Sequence, residues 1–359
     1  MENQLFTPWK LGDLSLSNRI VMAPLTRRRA SSGFVANEMM ARYYGLRASA
    51  GLIIAEATMV HRTGQGYPDT PGIWSKEQVE SWKPVTGIVH EKGGRIYLQL
   101  WHVGRYSHPL LQENGALPVS ASAVRIDGVI NTPEGYKDHV TPRALKIEEI
   151  PEVVDWYAKG ARNAIEAGFD GVEIHGANSY LIDQFLQDGV NKRTDSYGGP
   201  LENRVRFGLE VVEAVVSEIG NKKTGIRLSP SNIKNGVSDS DPVATFTYMI
   251  EQLNCYDLAF LHLVEPTLPV DHLPQYKKEV TKYFRQFYQG TLITCGGYNG
   301  EKAIQALAEN HADLVAFGVP FISNPDLVSR IEKDAPFAEA DESTFYTGGE
   351  KGYLDYPML

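Results

Sequence analysis

The chain has 359 residues, of which 42% are hydrophobic and 22% charged, ordinary values for a globular protein with a sizeable core. Its formal net charge of −9 and the lack of a long basic run argue against nucleic acid as a partner, because phosphate binding needs clustered lysine and arginine. No uncharged apolar stretch approaches the roughly 20 residues of a membrane span, so no membrane partner is expected.

The first predicted element is a small hairpin over Trp9–Asn18, where hydrophobic and polar residues alternate around Gly12-Asp13. After it come eight short apolar runs: Ile20–Leu25, Leu52–Ala57, Ile96–Trp101, Gly171–His175, Gly225–Ser229, Leu258–Val264, Thr291–Cys295 and Leu314–Phe317. The runs are too short for helices. Several are rich in β-branched residues, which is typical of strands buried on both faces.

Amphipathic segments with helical spacing separate these runs. The clearest are Lys146–Ala167, Glu202–Ile219, Pro242–Leu253 and Glu301–Glu309. Asn299 is the predicted N-cap of the last segment, and Asp239 or Asp241 is the predicted cap before Pro242. The alternation of strands with helices predicts an α/β protein.

Eight strands that alternate with helices favour a closed (β/α)₈ TIM barrel, a single domain over residues 1–359, with the hairpin at the bottom of the barrel. An open doubly wound sheet is the alternative. It is disfavoured because no Gly-x-Gly-x-x-Gly turn follows the first strand. The long segment His102–Arg143 is expected to cover the upper face and to carry function, and the tail Phe345–Leu359 is expected to pack against the barrel.

Cys255 and Cys295 lie in or beside apolar runs, which predicts two buried thiols rather than a disulfide, and a reducing compartment. Two cysteines are too few for an iron–sulfur cluster or a cysteine-ligated zinc site, so no metal is expected. The N-terminus lacks the pattern of a signal peptide, and the chain is interpreted as cytoplasmic. The run Arg27-Arg28-Arg29 is interpreted as a solvated or salt-bridged loop.

Polar side chains follow several predicted strands, at the end of the barrel where catalytic groups collect. They include Thr26, Gln99, His175, Asn178, Tyr180 and Arg227. Each alone could serve structure, by tying down a loop or filling the core. Glycines also end the seventh and eighth strands, at Gly296-Gly297 and Gly318, where backbone N–H groups commonly bind phosphate. Together these features indicate a long, flat cofactor with a phosphate tail, a description that fits FMN.

At this point the sequence resembles the old yellow enzyme family of flavin ene-reductases. The resemblance rests on the runs APLTRRR (23–29), ASAGLIIAEAT (48–58), QLWHVGR (99–105), HGANSYLIDQFL (175–186), RTDSYGGPLENR (193–204), RLSP (227–230) and NPDL (324–327). These runs occur in the family's order from Leu5 to the tail motif FYTGGEKGYLDYP (345–357), which is nearly the whole chain.

The resemblance implies a non-covalent FMN cofactor and NADPH or NADH as the hydride donor. The residues that match its ring-binding positions are Pro24, Leu25, Thr26, Ala57, Gln99 and Arg227, and those that match its phosphate positions are Gly296, Gly297, Gly318 and Val319. Arg227 would place positive charge near the flavin N1 and O2 atoms, where negative charge accumulates on reduction.

The resemblance also implies the catalytic residues. His175 and Asn178 match the pair that holds the substrate's carbonyl or nitro oxygen, and Tyr180 matches the proton donor to the α-carbon while hydride reaches the β-carbon. Tyr67, Trp101 and Tyr346 match residues that line the substrate space. The implied substrates are activated alkenes, namely enones, enals and nitroalkenes, and the implied state is a monomer or homodimer.

One position departs from the family pattern. An arginine that pairs with the FMN phosphate usually follows the glycine at the end of strand eight, and this chain has Val319 there. The departure predicts weaker FMN binding. The alternative functions are reduction of nitrate esters or nitroaromatics at the same site, or flavin binding with little catalysis. A cofactor-free aldolase is disfavoured, because no strand-end lysine is evident for a Schiff base.

Overall fold

A computed structural model describes residues 3–359 and shows a closed barrel of eight parallel strands. In barrel order the strands are β3 (Ile20–Met22), β4 (Leu52–Met59), β5 (Ile96–Trp101), β10 (Gly171–Gly176), β11 (Thr224–Leu228), β12 (Phe260–Val264), β13 (Leu292–Cys295) and β14 (Leu314–Phe317), with β14 pairing back to β3. The predicted (β/α)₈ barrel is therefore confirmed, and the open-sheet alternative is wrong. The prediction that the N-terminus is not a signal peptide rests partly on the first two residues, which lie outside the described residues.

Helices follow the strands around the outside of the barrel. They are α1 (Glu38–Gly45), α2 (Lys76–Glu91), α3 (Ile150–Glu166), α4 (Leu181–Leu186), α5 (Leu201–Ile219), α6 (Pro242–Leu253), α7 (Val280–Phe284), α8 (Gly300–Ala308), α9 (Val319–Ser323) and α10 (Leu327–Glu332). Asn299 caps α8 and Asp241 caps α6, each through a side-chain oxygen that accepts a backbone N–H. Asp239 is not the cap; it pairs with Arg204 at 2.6 Å.

Several strand boundaries differ from the prediction by one to three residues, and the differences at the carboxyl ends of β3 and β4 lie beside the upper mouth of the barrel. β3 ends at Met22 instead of continuing to Leu25, so the residues after it leave the sheet and turn across the mouth. β4 runs on to Met59, with a register shift against β5 between Ala55 and Thr58. A bulge of this kind re-aims neighbouring side chains, here those of Glu56 and Ala57.

The N-terminal hairpin pairs β1 (Trp9–Leu11) with β2 (Leu14–Leu16) and lies at the bottom of the barrel. Leu11 and Leu16 are buried in one apolar cluster with residues from the amino ends of the barrel strands. Gly12, in the turn, has a φ of +53°, and a Cβ there would lie 2.3 Å from the Lys222 carbonyl oxygen. The predicted hairpin and its position are confirmed.

The segment between β5 and α3 is not a structureless loop. It contains the hairpin of β7 (Val129–Thr132) and β8 (Gly135–Asp138), and the short parallel pair of β6 (Val119–Ser120) and β9 (Arg143–Ala144). Its first residues reach the upper face, where the Arg105 Nη2 donates to the Asn235 carbonyl from the loop after β11.

Two residues of the arginine run are buried, which corrects their interpretation as part of a solvated or salt-bridged loop, whereas Arg28 is partly exposed with its Nη2 3.9 Å from the Asp69 carboxylate. Arg27 and Arg29 are only 1% and 3% exposed. Both guanidinium groups donate to carbonyl oxygens of the C-terminal tail, including those of Phe345 and Gly352. Tyr353, also in the tail, is fully buried and belongs to the main apolar core. The tail thus packs against the barrel through Tyr353, as its composition predicted, and the two buried arginines hold it there.

Replacing Arg29 with methionine is expected to lower the free energy of unfolding by roughly 1–3 kcal/mol, because buried tail carbonyls lose their donors. Limited proteolysis of the tail should become faster as well. Arg42→Met is the matched control, since Arg42 pairs with Glu350 of the tail at 2.7 Å, but both side chains are exposed. Its effect should be about 0–1 kcal/mol. Equal effects of the two changes on thermal unfolding would contradict the role of Arg29.

The cysteine prediction is half right. Cys295 is buried at the end of β13, whereas Cys255 is exposed just after α6, so the expectation of two buried thiols is wrong for Cys255. Both are free thiols. Within residues 3–359, no helix is long and apolar enough to cross a membrane, and no cluster of three or more potential ligands is arranged to hold a metal ion.

Candidate active site

A cavity of about 240 Å³ opens at the upper mouth of the barrel, between the residues after β3, the tail and the start of α9. Its lining includes seven residues to which the sequence assigned a role in cofactor binding, substrate binding or catalysis: Pro24, Leu25, Thr26, Tyr67, Tyr180, Val319 and Tyr346. The premature end of β3 explains how three consecutive residues of one segment reach this wall. The fold therefore brings ring-binding, substrate-lining and proton-donor candidates to one place.

Tyr180 lies at the centre of an aromatic group. Its ring makes edge contacts with Trp101 and His175, with centroids 5.1 and 5.0 Å apart. Its hydroxyl is 3.2 Å from the hydroxyl of Tyr67. Burial raises the pKa of Tyr180 well above its ordinary value, although the hydrogen bond with Tyr67 acts in the opposite direction. Tyr180 therefore keeps its proton at neutral pH.

His175 is neutral and has a defined tautomer. Burial lowers the pKa of His175 well below its ordinary value, and the positive charges of Arg227 and His262 lower it further. Its Nδ1 accepts a hydrogen bond from the Ala177 backbone N–H at 3.4 Å. Since a neutral imidazole carries one proton, that proton is on Nε2, which makes Nε2 a donor.

Asn178 stands on a turn with an unusual backbone. Asn178 and Ser179 both have positive φ angles, +58° and +65°, a region that non-glycine residues enter at some cost. The turn is held by three hydrogen bonds: Asn178 N–H to the Ser229 hydroxyl, Ser179 N–H to the Asp183 carboxylate, and Asn235 Nδ2 to the Ser179 hydroxyl. Within the described residues the Asn178 carboxamide itself makes no hydrogen bond, so its donor is available to a ligand.

Inside the mouth, the strand ends carry a charged network. Gln99 Nε2 donates to Glu173 Oε2 at 2.7 Å, and Glu173 Oε1 is 2.6 Å from His262 Nδ1. Arg227 Nη2 donates to the sulfur of Cys295 at 3.5 Å. The buried Nε of Arg227 has no protein partner among residues 3–359. An arginine with an unsatisfied buried N–H fits a ligand rich in hydrogen-bond acceptors, as the pyrimidine edge of a flavin is.

Three of the four predicted phosphate residues line two different spaces, and Gly318 lines neither of them. Val319 lines the 240 Å³ cavity, whereas Gly296 and Gly297 line a larger open cleft of about 730 Å³ beside it. Lys278, Lys282 and Lys302 also line the cleft. Ala57, 4% exposed, lies beneath the cavity in an apolar cluster with Trp101.

Three residues of the site escaped the sequence reasoning about function. Tyr106 adds a ring to the aromatic group, with its centroid 5.2 Å from that of Tyr67. His262 and Cys295 lie inside the barrel beside Arg227. The signal for His262 was a polar residue inside an otherwise apolar strand run, Leu258–Val264. No comparable signal marked Tyr106, since its position depends on the path of a long loop.

The chain is similar in sequence to known oxidoreductases. The chain matches the NADH:flavin oxidoreductase / NADH oxidase family over residues 4–337. It is 48% identical over 361 residues to putative 12-oxophytodienoate reductase 2 of Oryza sativa subsp. japonica, covering 99% of this chain and 94% of that protein. It is 46% identical to 12-oxophytodienoate reductase 2 of Arabidopsis thaliana, with coverage of 99% and 96%.

Solved structures of related proteins have the same fold as this chain. Morphinone reductase in complex with tetrahydroNAD is 48% identical, with a TM-score of 0.93 and coverage of 99% of this chain and 97% of that chain. The old yellow enzyme homologue from Zymomonas mobilis is 44% identical, with a TM-score of 0.95 and coverage of 99% and 100%. The fold and site thus define a flavin-dependent oxidoreductase of the TIM-barrel class. The chain belongs to the old yellow enzyme family, whose members use FMN and NAD(P)H.

Proposed function

We propose that this protein is an NAD(P)H-dependent ene-reductase that acts on α,β-unsaturated carbonyl and nitro compounds, with the whole chain serving as one FMN-binding barrel. The observation that carries the proposal is the pairing of a protonated Tyr180 with a neutral His175, with ring centroids 5.0 Å apart at the mouth of the barrel. One is an acid and the other a neutral hydrogen-bond donor, the two functions that reduction of a polarised alkene needs.

The residues present fit FMN. Pro24, Thr26 and Ala57 would hold the ring from the side of the mouth, with Gln99 and Arg227 at its pyrimidine edge. The unsatisfied N–H of Arg227 is the donor that the electron-rich edge requires. When bound, FMN supplies hydride transfer, from NADPH or NADH and then to the β-carbon of the alkene.

His175 and Asn178 hold the substrate's oxygen. The His175 Nε2–H and the Asn178 carboxamide both donate without carrying a charge, and negative charge builds up on that oxygen as the β-carbon is reduced. Such a preorganised donor typically contributes roughly 2.7–4 kcal/mol to catalysis. The three hydrogen bonds of the 178–179 turn fix the backbone that carries the carboxamide before substrate arrives.

Tyr180 gives its proton to the α-carbon, on the face of the substrate away from the ring. The adjacent Tyr67 hydroxyl, 3.2 Å away, orients that proton. Aromatic walls from Tyr67 and Tyr346, with the buried Trp101 packed behind Tyr67, suit flat, conjugated enones, enals and nitroalkenes.

The test is an anaerobic visible spectrum of the protein prepared with FMN, before and after NADPH and then 2-cyclohexenone are added. A yellow protein that bleaches with NADPH and regains colour with the enone supports the cofactor and both half-reactions. A protein that stays colourless with added FMN would overturn the proposal, and one that bleaches but does not regain colour would overturn the ene-reductase activity.

Val319→Arg is expected to tighten FMN binding. Val319 is 50% exposed at the start of α9 and contributes no charge to the phosphate region, whereas an arginine there can pair with a phosphate in a bidentate manner. The dissociation constant should fall, as measured by quenching of flavin fluorescence, and the gain should shrink at high salt. Equal or weaker retention of FMN in the variant would contradict this prediction. Val319→Leu is the control for a change in side-chain size.

A further inference from the structure

The thiol of Cys295 lies among charged groups at the mouth of the barrel. Arg227, on β11, donates to its sulfur at 3.5 Å. His262, on the intervening strand β12, is fully buried beside it. Cys295 is 7% exposed, while Ile293 and Thr294, which precede it on β13, have no exposed surface. Cys295 is thus the first residue of β13 after Ile293 that retains exposed surface, at the carboxyl end of the strand.

His262 is held in a form that suits an acid–base partner. Its Nδ1 lies 2.6 Å from a carboxylate oxygen of Glu173, and both side chains are fully buried. Because a carboxylate accepts, Nδ1 carries a proton. Nε2 is buried and has no hydrogen-bond partner within the described part of the chain, so it is free to take up a proton from the neighbouring Cys295 thiol. Cys295, His262 and Glu173 therefore form a thiol–imidazole–carboxylate series.

The charges favour the ionised thiol. Burial alone raises the pKa of the Cys295 thiol, but the neighbouring His262 imidazole and the charge of Arg227 outweigh it, so that this pKa lies below its ordinary value. For His262, burial lowers the pKa and the charge of Glu173 raises it, and the result is a raised pKa. The other titratable neighbours are His175, which is neutral, Tyr298, whose pKa is raised to about 12 mainly by burial, and Glu265, whose backbone N–H donates to the Cys295 carbonyl at 2.7 Å. Burial raises the pKa of Glu265, and its carboxylate accepts hydrogen bonds from the Val280 and Thr281 backbone N–H groups at the start of α7. His175 and Tyr298 add no negative charge that would oppose the thiolate at neutral pH.

We propose that Cys295 is a covalent modification site, a nucleophilic thiolate between Arg227 and His262 that adds to α,β-unsaturated carbonyl compounds when FMN does not cover it. The protection by FMN rests on the proposed function, in which Arg227 faces the flavin ring. The reactivity of the thiolate itself depends only on the charged network.

The step is a conjugate addition and needs no oxidant or reductant. The thiol proton moves to His262 Nε2, and the sulfur lone pair forms a C–S bond to the β-carbon. The C=C π bond breaks, and its electrons pass to the α-carbon and the carbonyl oxygen. The imidazolium of His262, or water, then returns the proton to the α-carbon. The product is a thioether that occupies the proposed place of the flavin ring, so the modified protein should no longer bind FMN.

The experiment uses N-ethylmaleimide, an α,β-unsaturated dicarbonyl, on the full-length protein with and without FMN. Peptide mapping by mass spectrometry measures modification at both cysteines. Cys255 is an internal control because it is exposed and is not part of the charged network. Without FMN, Cys295 should react at least as fast as Cys255 despite its lower exposure, and saturating FMN should slow Cys295 at least tenfold while leaving Cys255 unchanged.

The pH profile is the second measurement. Modification of Cys295 should reach half its maximal rate well below the value of about 8.5 that is ordinary for a free thiol. In His262→Gln, which cannot carry a positive charge, the midpoint should move up towards that value and the rate at neutral pH should fall about tenfold. The rate at Cys255 should not change. If His262→Gln does not fold, the ultraviolet absorbance of the thiolate, compared between wild type and Cys295→Ser across pH, gives the same midpoint.

Three results would overturn the proposal: modification of Cys295 only after denaturation, equal rates with and without bound FMN, or a midpoint no lower than that of Cys255. Binding of FMN is followed separately by quenching of its fluorescence. If FMN does not bind at all, the proposed function fails, and the pH profile and the His262 variant still decide whether Cys295 is an activated thiol.

Discussion

Tyr180→Phe is expected to slow the re-oxidation of reduced enzyme by an enone about 10²–10⁴-fold, while reduction of the enzyme by NADPH stays nearly unchanged. The variant loses only the hydroxyl, and so the proton that the α-carbon must receive. The ring still packs against Trp101 and His175. Stopped-flow spectroscopy of each half-reaction separates the two effects, because proton donation enters only the second.

Tyr67→Phe is the matched control for Tyr180→Phe. It removes the other hydroxyl of the 3.2 Å pair but leaves the proton donor in place, so the oxidative half-reaction should slow far less. Unchanged alkene reduction in Tyr180→Phe would remove this tyrosine from the mechanism. A larger effect of Tyr67→Phe than of Tyr180→Phe would transfer the role of acid to Tyr67.

Removing the carboxamide of Asn178 is expected to cost about 10²–10³-fold in the oxidative half-reaction, the range measured for loss of one donor to a developing oxyanion. Asn178→Gly is the suitable variant, since glycine adopts the φ of +58° without strain. The carboxamide makes no hydrogen bond to the rest of the described chain, so the fold should be little affected. The rate of flavin reduction by NADPH measures any general disturbance of the site.

Asn178→Ala separates backbone strain from loss of the donor. Alanine also lacks the carboxamide, but a left-handed backbone costs it roughly 1–2 kcal/mol. The two variants should lose similar activity, while only the alanine variant should show a lower melting temperature. If the glycine variant retains full activity with 2-cyclohexenone, then His175 alone holds the substrate oxygen.

Much of the fold followed from local patterns in the sequence. The helix over Pro242–Leu253 was predicted to the residue, and so was the strand Ile96–Trp101. Both are long or strongly periodic, and a capping aspartate marks the start of the helix. Among the strand boundaries that differ from the prediction, those at the carboxyl ends of β3 and β4 lie where tertiary contacts at the barrel mouth override the apolar pattern.

The candidate site was predicted in part. Thr26, Tyr67 and Tyr180 lie in the loops that follow three barrel strands and share one cavity. They meet because the carboxyl ends of parallel strands lie at one face of the barrel, and the order of strands and helices in the sequence already implies this. The fate of the arginine run could not be foreseen in the same way. Arg27 and Arg29 are buried against carbonyls more than 300 residues away along the chain, and composition carries no information about such partners.

The sequence by itself determined the barrel, the hairpin below it and the family. Each strand, helix and motif is recognised from residues that are close together along the chain, and their number and order then define the fold. Only the tertiary structure decided which charges meet. It brought Glu173, His262 and Cys295 together from three different strands, and it buried Cys295 beside Arg227 while leaving Cys255 exposed. The pKa of a buried group depends on the charges within a few ångströms of it, and these come from strands that are far apart in sequence.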